Sequence, residues 1–346
     1  MGPRGGPLAL RRCTISHMRF LLLLAAVAAY AGPCTSTKDC TEWVTLGGGP
    51  SRSMIYRTYP LEKKNPAISR ALIMVHGVGR DADNYFRSAT AAAFLADALE
   101  DTIVIAPRFS SNAGGGCRDT LQPGEVSWSC TGDSWKSGGV AANNDRLTSF
   151  DFVDEILRKL ARKEVFPNLR AIVVAGHSAG GQFADRYAMA NKVHDTLPVP
   201  VSYAVANPSS YAWPDSSRPA EDVVAKCPLY DRWPYGFLNR TGYAGPIPDD
   251  QLRKQLASRP VSYLLGELDT LPIGGFDQSC PAMAQGATRR ARGEAFAEHM
   301  KKTYDAHHAV KLVPYCGHNG RCMFTSEQAL PVLFPSLKSH ETTALK

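Results

Sequence analysis

Apolar residues recur along this chain in short unbroken runs, separated by stretches of helical period. Ala71-Leu72-Ile73-Met74-Val75, Thr102-Ile103-Val104-Ile105-Ala106 and Ala171-Ile172-Val173-Val174-Ala175 are three such runs. Val201 to Val205, Val261 to Leu265 and Val310 to Pro314 are three more. A strand that is apolar at every position is buried on both faces, so these runs predict a mostly parallel sheet covered by helices. The intervening stretches supply those helices. Asp83 to Leu99 is Ala-rich, Phe150 to Arg162 places Phe152, Val153, Ile156, Leu157 and Leu160 on one face, and Ser178 to Ala190 follows the same period. Gln328 to Leu337 is a weak final helix interrupted by Pro331 and Pro335. Strand and helix in alternation give a doubly wound α/β sheet.

Two long segments break the rhythm. Residues 110–147 are rich in Gly, Ser and Trp, and residues 208–260 in Pro, Tyr and Trp. Long irregular segments in a compact domain are commonly functional, so both are expected as loop insertions over the rim that carries the site. No internal repeat or linker composition divides the rest. With 346 residues, 44% of them hydrophobic, the expectation is one domain over 32–346.

The first 31 residues read differently. Arg4, Arg11, Arg12 and Arg19 precede the apolar run Phe20 to Ala31, which closes on Ala29-Tyr30-Ala31. This is the pattern of a cleaved secretory signal, with Met18 as a second possible start. The alternative, an uncleaved anchor, is disfavoured because the run falls short of the roughly 20 residues needed to span a bilayer. Cleavage after Ala31 alters two readings. Of the 39 basic residues 35 would remain against 32 acidic ones, so the net charge drops from +7 to +3 and gives no reason to expect a nucleic-acid partner. Cys13 would leave with the segment, and eight cysteines would remain. In an exported chain these suggest up to four disulfides. Proximity in sequence favours Cys34–Cys40, Cys117–Cys130 and Cys316–Cys322, with Cys227–Cys280 left over. A metal site is disfavoured, since no Cys-x-x-Cys pair occurs and His adjoins Cys only at Cys316-Gly317-His318. Asn239-Arg240-Thr241 is a glycosylation sequon, whereas Asn207 is followed by Pro208 and fails.

Candidate chemistry centres on Gly176-His177-Ser178-Ala179-Gly180, followed by Gly181. It follows directly on an apolar strand and leads into a helix, the setting in which a sharp turn presents a serine nucleophile. Upstream, His76-Gly77-Val78-Gly79 follows the strand ending at Val75. A loop there presents a backbone N–H to a substrate oxygen, so the N–H groups of Val78 and Ala179 are the candidate oxyanion donors. An acid is expected after a later strand. Asp269 in Gly266-Glu267-Leu268-Asp269 fits, with Glu267 and Asp277 as rivals. The base candidate is His318 in Cys316-Gly317-His318-Asn319-Gly320, which completes the order Ser, Asp, His. His299, His307 and His308 lie in or beside a polar helical stretch, His194 precedes the acid, His340 is near the chain end, and His177 is expected to point away. A Cys316–Cys322 bridge would pin the His318 loop, so reduction is expected to lower activity before it unfolds the chain.

With these residues in place the chain resembles the α/β-hydrolases from Ala71 to about Leu333. Val173-Val174-Ala175-Gly176-His177-Ser178-Ala179-Gly180-Gly181-Gln182, Ala206-Asn207-Pro208-Ser209-Ser210-Tyr211 and the late Gly317-His318 with Met323-Phe324 are similar to a group of secreted serine hydrolases or esterases from microbes and fungi. The resemblance implies a nucleophilic Ser178, an acid Asp269 and a base His318. It departs at Asn319, where many relatives carry Asp, with an expected effect on local charge only.

The expected reaction is acyl transfer to water, most simply on a small-molecule or polymeric carboxylic ester, outside the cell. Trp135, Tyr211 and Trp213 are candidate substrate-binding aromatics, and the competing expectation is that they form the core of the insertions. No cofactor is expected: Gly114-Gly115-Gly116 lacks the Lys-Ser/Thr of a phosphate loop. A peptidase or amidase on the same fold, or a binding protein that has kept the fold, are the rival functions. The sequence does not bear on the oligomeric state.

Overall fold

The computed structural model describes residues 1–2, 32–131 and 134–337. The expected signal segment, apart from Met1 and Gly2, lies outside the described residues. Along the chain come β1 (Thr41–Thr45), β2 (Arg52–Arg57), β3 (Arg70–Val75), α1 (Ala82–Leu95) and β4 (Thr102–Pro107). A small hairpin, β5 (Val140–Ala141) and β6 (Asn144–Thr148), leads into α2 (Ser149–Leu160). Then follow β7 (Ala171–His177), α3 (Ala179–Ala190), β8 (Val201–Ala206), α4 (Glu221–Val224), α5 (Asp249–Ser258) and β9 (Val261–Gly266). The chain closes with α6 (Cys280–Met283), α7 (Arg289–Tyr304), β10 (Ala309–Val313), α8 (Gly320–Phe324) and α9 (Leu330–Leu333).

Eight strands form one sheet in the order β1-β2-β4-β3-β7-β8-β9-β10, parallel from β4 to β10 and antiparallel at β1 and β2. All six apolar runs are strands of it, which makes the expected mostly parallel doubly wound sheet the observed one. The side-chain alternation of each strand sorts its residues between two cores. Leu72, Met74, Val104, Ala106, Val173, Ala175, Ala204 and Ala206 pack under α1, α8 and α9. Ala71, Ile73, Val75, Ile103, Ile105, Ile172, Val174 and Val205 pack against the face covered by α2, α3, α5 and α7. The Cys34–Cys40, Cys117–Cys130, Cys227–Cys280 and Cys316–Cys322 pairs are at disulfide distance, in the connectivity that sequence proximity suggests.

Several elements differ from expectation. Strands β1 and β2 escape the apolar-run criterion because they bury alternate residues only, Val44 in one and Ser53 and Ile55 in the other. Such half-buried strands at the antiparallel end of the sheet read as polar sequence. Helix α5 lies inside the segment read as irregular, because only Leu252 and Leu256 of its ten residues are buried. The final helix shrinks to Leu330–Leu333, with Pro331 in its first turn and Pro335 just past its end. The 110–147 segment runs to the β2 side: Trp128 donates from Nε1 to Ser53 Oγ at 3.2 Å and stacks on Phe152. The 208–260 segment is tied to α6 by Cys227–Cys280.

Asp185 on α3 is a buried carboxyl outside the expected chemistry. Its Oδ2 accepts the Ala212 N–H at 3.1 Å, and its Oδ1 has no partner. Burial pushes its pKa up from 3.8 to about 7, against the pull of Arg186. Between these two values the unfolded chain has lost a proton that the folded chain keeps. Stability contributed by the neutral form is therefore lost as pH rises through about 7. We expect Asp185→Asn to match wild type near pH 4 and to exceed it at pH 8, by at most about 4 kcal/mol. Urea midpoints at the two pH values measure this. An equal difference at both would show that folding leaves the Asp185 pKa unshifted.

Candidate active site

The strand β7 ends at His177 and α3 begins at Ala179, so a single residue makes the turn between them. That residue, Ser178, has φ 60° and ψ −118°. For a residue with a Cβ this backbone is strained, and it persists because the surroundings fix it. The Ser178 N–H donates to Ala206 O and its carbonyl accepts from the Gln182 N–H, both at 3.0 Å. The glycines allow the close approach. A methyl on Gly176 would lie 2.1 Å from Gly180 O, and one on Gly180 would lie 2.2 Å from Val75 O and 2.6 Å from His76 O. Those are backbone atoms, so nothing can swing aside. Gly180→Ala should push α3 away from the end of β3 and cost about 3 kcal/mol, read as a fall in the urea midpoint. An unchanged midpoint would show that the contact relaxes.

His318 reaches Ser178 from the loop after β10. Its Nε2 lies 2.9 Å from Ser178 Oγ, and its Nδ1 lies 2.8 Å from Asp269 Oδ2. The three residues come from the ends of three strands and form one hydrogen-bonded chain. This arrangement can move a proton off the serine hydroxyl while the carboxylate holds the ring. Cys316–Cys322 brackets the histidine, and Asn319 caps α8 by accepting the Cys322 N–H at 3.0 Å. Asn and Asp cap about equally well, so the departure at Asn319 leaves the helix start intact.

The rivals lie elsewhere: His307 is exposed, and the other described ones bond to other groups. Glu267 accepts the Tyr315 N–H, and Asp277 accepts from the Tyr235 hydroxyl. His299 pairs with Asp215, His308 with Tyr263 and Leu256 O, and His194 with Tyr203. His340 lies outside the described residues. Asp269 has a partner that the sequence did not announce: Arg289 Nη1 lies 3.4 Å from Oδ1 and is as deeply buried as the acid. Arg289 also donates to Ser209 Oγ at 2.8 Å and Gly274 O at 3.0 Å. Nothing in the pattern separates it from its solvent-facing neighbour Arg290; only the first turn of α7 does.

The candidate oxyanion loop leaves β3 at His76. Burial holds this imidazole down at about 4, so it is neutral near pH 7. Its Nε2 accepts the Phe109 N–H at 3.1 Å, which leaves Nδ1–H to donate to Gly77 O at 2.9 Å. A turn closed by Arg80 N–H to Gly77 O then carries Val78 past the serine, with its side chain in solvent. Ala179 is the first residue of α3, where N–H groups have no acceptor within the helix.

Ser178 sits in an open cleft of about 530 Å³ lined by Gly77, Val78, Gly79, Gly274, parts of α1 (Asn84, Tyr85, Arg87, Ser88) and the His318–Arg321 loop. Among the described residues of 110–147 and 208–260 none lines this cleft, which is not where the insertions were expected to lie. Trp135, Tyr211 and Trp213 are likewise elsewhere, all nearly or fully buried. Trp135 stacks on Phe109, Tyr211 stacks on Phe296, and Trp213 packs on His299. Their large apolar areas cover the face of the sheet away from α1 rather than a substrate. His177 also departs from expectation. Alternation puts it on the same face as Val173 and Ala175, so its ring lies beside that of His318, centroids 4.6 Å apart, with Tyr85 Oη 3.0 Å from its Nδ1.

Sheet order, serine turn and strand-end residues together define an α/β-hydrolase. The chain belongs to the alpha/beta hydrolase family, whose model matches residues 72–331. Among solved structures, it is similar to a poly(3-hydroxybutyrate) depolymerase from Bordetella parapertussis, with 21% identity and TM-score 0.59 over 83% of this chain and 85% of that one. It is also similar to poly(aspartic acid) hydrolase-1 from Sphingomonas sp. KT-1, with 21% identity and TM-score 0.56 over 82% and 94%. At this identity both likenesses speak for the fold. No curated protein matches the sequence.

Proposed function

We propose that this protein is a secreted serine hydrolase that cleaves carboxylic esters through an acyl-enzyme on Ser178. The observation that carries the reading is the unbroken chain Ser178–His318–Asp269, at 2.9 and 2.8 Å, on a serine held in a strained turn beside an open cleft. His318 takes the Ser178 proton as Oγ attacks the ester carbonyl. The N–H groups of Val78 and Ala179 hold the oxygen that becomes negative, each supplying about 3–4 kcal/mol. The imidazolium, steadied by Asp269, returns its proton to the leaving alkoxide, and the alcohol departs. Water then attacks the acyl-enzyme by the same route in reverse, releasing the carboxylic acid and restoring Ser178.

Family membership supports hydrolysis, and the site supports serine as its agent. An ester is favoured over a peptide because a peptidase of this fold would normally bring a propeller or large cap domain, whereas the described residues that line the cleft belong to short loops and α1. Four disulfides and the N-terminal apolar segment support export. Asn239 of the sequon is exposed on a turn, where a glycan has room. No metal or cofactor enters the proposed steps.

A fluorophosphonate probe and a series of p-nitrophenyl esters test the reading. Stoichiometric labelling and ester turnover exceeding peptide-amide turnover are expected. Failure of a folded, disulfide-intact protein to label would overturn it in favour of a binding protein, and faster amide cleavage in favour of a peptidase. Export is tested by sequencing the N-terminus of protein recovered from the medium. Gly32 is expected as the first residue.

A further inference from the structure

Two features near Ser178 have no part in the mechanism above: a buried imidazole with an unpartnered nitrogen, and a phenol in the cleft. His177 Nε2 is buried and makes no hydrogen bond, while Nδ1 faces Tyr85 Oη at 3.0 Å. A neutral histidine carries one N–H, and this ring is neutral because burial and the neighbouring His318 depress its pKa. If Tyr85 donated to Nδ1, the proton of His177 would sit on Nε2 as a buried orphan N–H, the rarer kind of unsatisfied group. The proton therefore belongs on Nδ1, and His177 donates to Tyr85.

Tyr85 Oη is then an acceptor towards His177. With its acceptor side engaged, the phenolic O–H has to point elsewhere. Tyr85 lines the cleft at Ser178, so the open direction is the substrate. The separations suit this. A methyl built on Gly77 would stand 2.8 Å from Tyr85 Oη and 3.8 Å from Ser178 Cβ, so the phenol and the serine flank one small space beside the oxyanion loop. Gly320 on the other side would bring a methyl within 3.3 Å of both Tyr85 Oη and His177 Nδ1. The two glycines leave room for the tyrosine between the loops.

We infer that the Tyr85 hydroxyl is a third donor to the reacting carbonyl oxygen, set by the fixed Nδ1–H tautomer of His177. The inference rests on Ser178 being the nucleophile. Tyr85 would strengthen its hydrogen bond as the oxygen gains charge, so it would act on turnover rather than on substrate binding.

The experiment compares wild type with Tyr85→Phe, which keeps the ring and removes only the donor. On a p-nitrophenyl ester, kcat should fall about 100-fold with KM little changed. The Kd of a trifluoromethyl ketone, which forms a charged adduct with the serine, should rise by a similar factor, with the urea midpoint unchanged. An unaltered kcat would overturn the inference. So would a loss of kcat with a lowered midpoint and an unchanged ketone affinity, which would make Tyr85 a packing residue. If Tyr85→Phe does not fold, 3-fluorotyrosine at position 85 replaces it. The more acidic donor should tighten the ketone, and no change in its Kd would overturn the inference. Wild-type protein that neither labels nor turns over would instead sink the nucleophile reading, so the two failures are distinct.

Discussion

Ser178→Ala is expected to lower kcat on a p-nitrophenyl ester by a factor on the order of 10⁶ and to abolish fluorophosphonate labelling. The size follows from the chain of hydrogen bonds. Ser178 Oγ lies 2.9 Å from the imidazole that would activate it, whereas the other serine lining the cleft, Ser88, donates to Asn84 O. The residual rate over water would come from the oxyanion donors, which the substitution leaves in place. Folding should be preserved. The strained backbone at φ 60° is imposed by neighbours and not by the hydroxyl, and alanine fits the same volume. His318 keeps Asp269 as its partner. Activity and the urea midpoint, measured on one preparation, check both halves. Turnover retained above about one per cent of wild type, far more than the residual rate the donors supply, would place the nucleophile elsewhere.

Asp269→Asn should cost about 10⁴-fold in kcat and, unlike the serine variant, stability as well. The kinetic loss comes from the tautomer. A carboxylate accepts the proton of His318 Nδ1 and so leaves Nε2 free to accept from Ser178. An amide can instead donate to Nδ1, which moves the ring proton to Nε2 and turns the base into a donor facing the serine. The stability loss comes from the other oxygen. Arg289 is buried against Oδ1, and a neutral amide leaves that guanidinium with Ser209 and Gly274 O but no counter-charge. Removing one partner of a buried pair costs about 3–5 kcal/mol, and the two remaining acceptors place the expectation at the low end. The measurement is kcat together with the urea midpoint. A large kinetic loss at unchanged stability would show that Arg289 is held by its other partners alone.

The cleft itself was only partly legible. The serine turn, the histidine and the acid can be found because each follows an apolar strand, and the position of a strand end is a local property. Arg289, Tyr85 and His177 could not be placed in the same way. Arg289 differs from Arg290 by one step of helical phase, and Tyr85 from Asn84 likewise. His177 faces His318 because the strand period of β7 continues through the motif to its last residue. The same limit applies to Trp135, Tyr211 and Trp213. Their apolar area says that each will be covered, and says nothing of whether substrate or Phe109 and Phe296 will cover it.

What the sequence alone determined is therefore what short range controls. Unbroken apolar runs make buried parallel strands. Glycines at 176 and 180 let two backbones meet, and nearby cysteines pair. What only the tertiary structure decided is which groups face one another once those elements pack. The half-buried strands β1 and β2 joined the sheet because β4 offered an edge to pair with. Trp135, Tyr211 and Trp213 of the insertions joined the core on the sheet face away from α1. The Asp269–Arg289 pair and the Tyr85–His177 contact arose between residues 20 and 92 positions apart. Local sequence fixes the direction of a side chain from its own backbone, and the neighbour it meets there is set by the path of the whole chain.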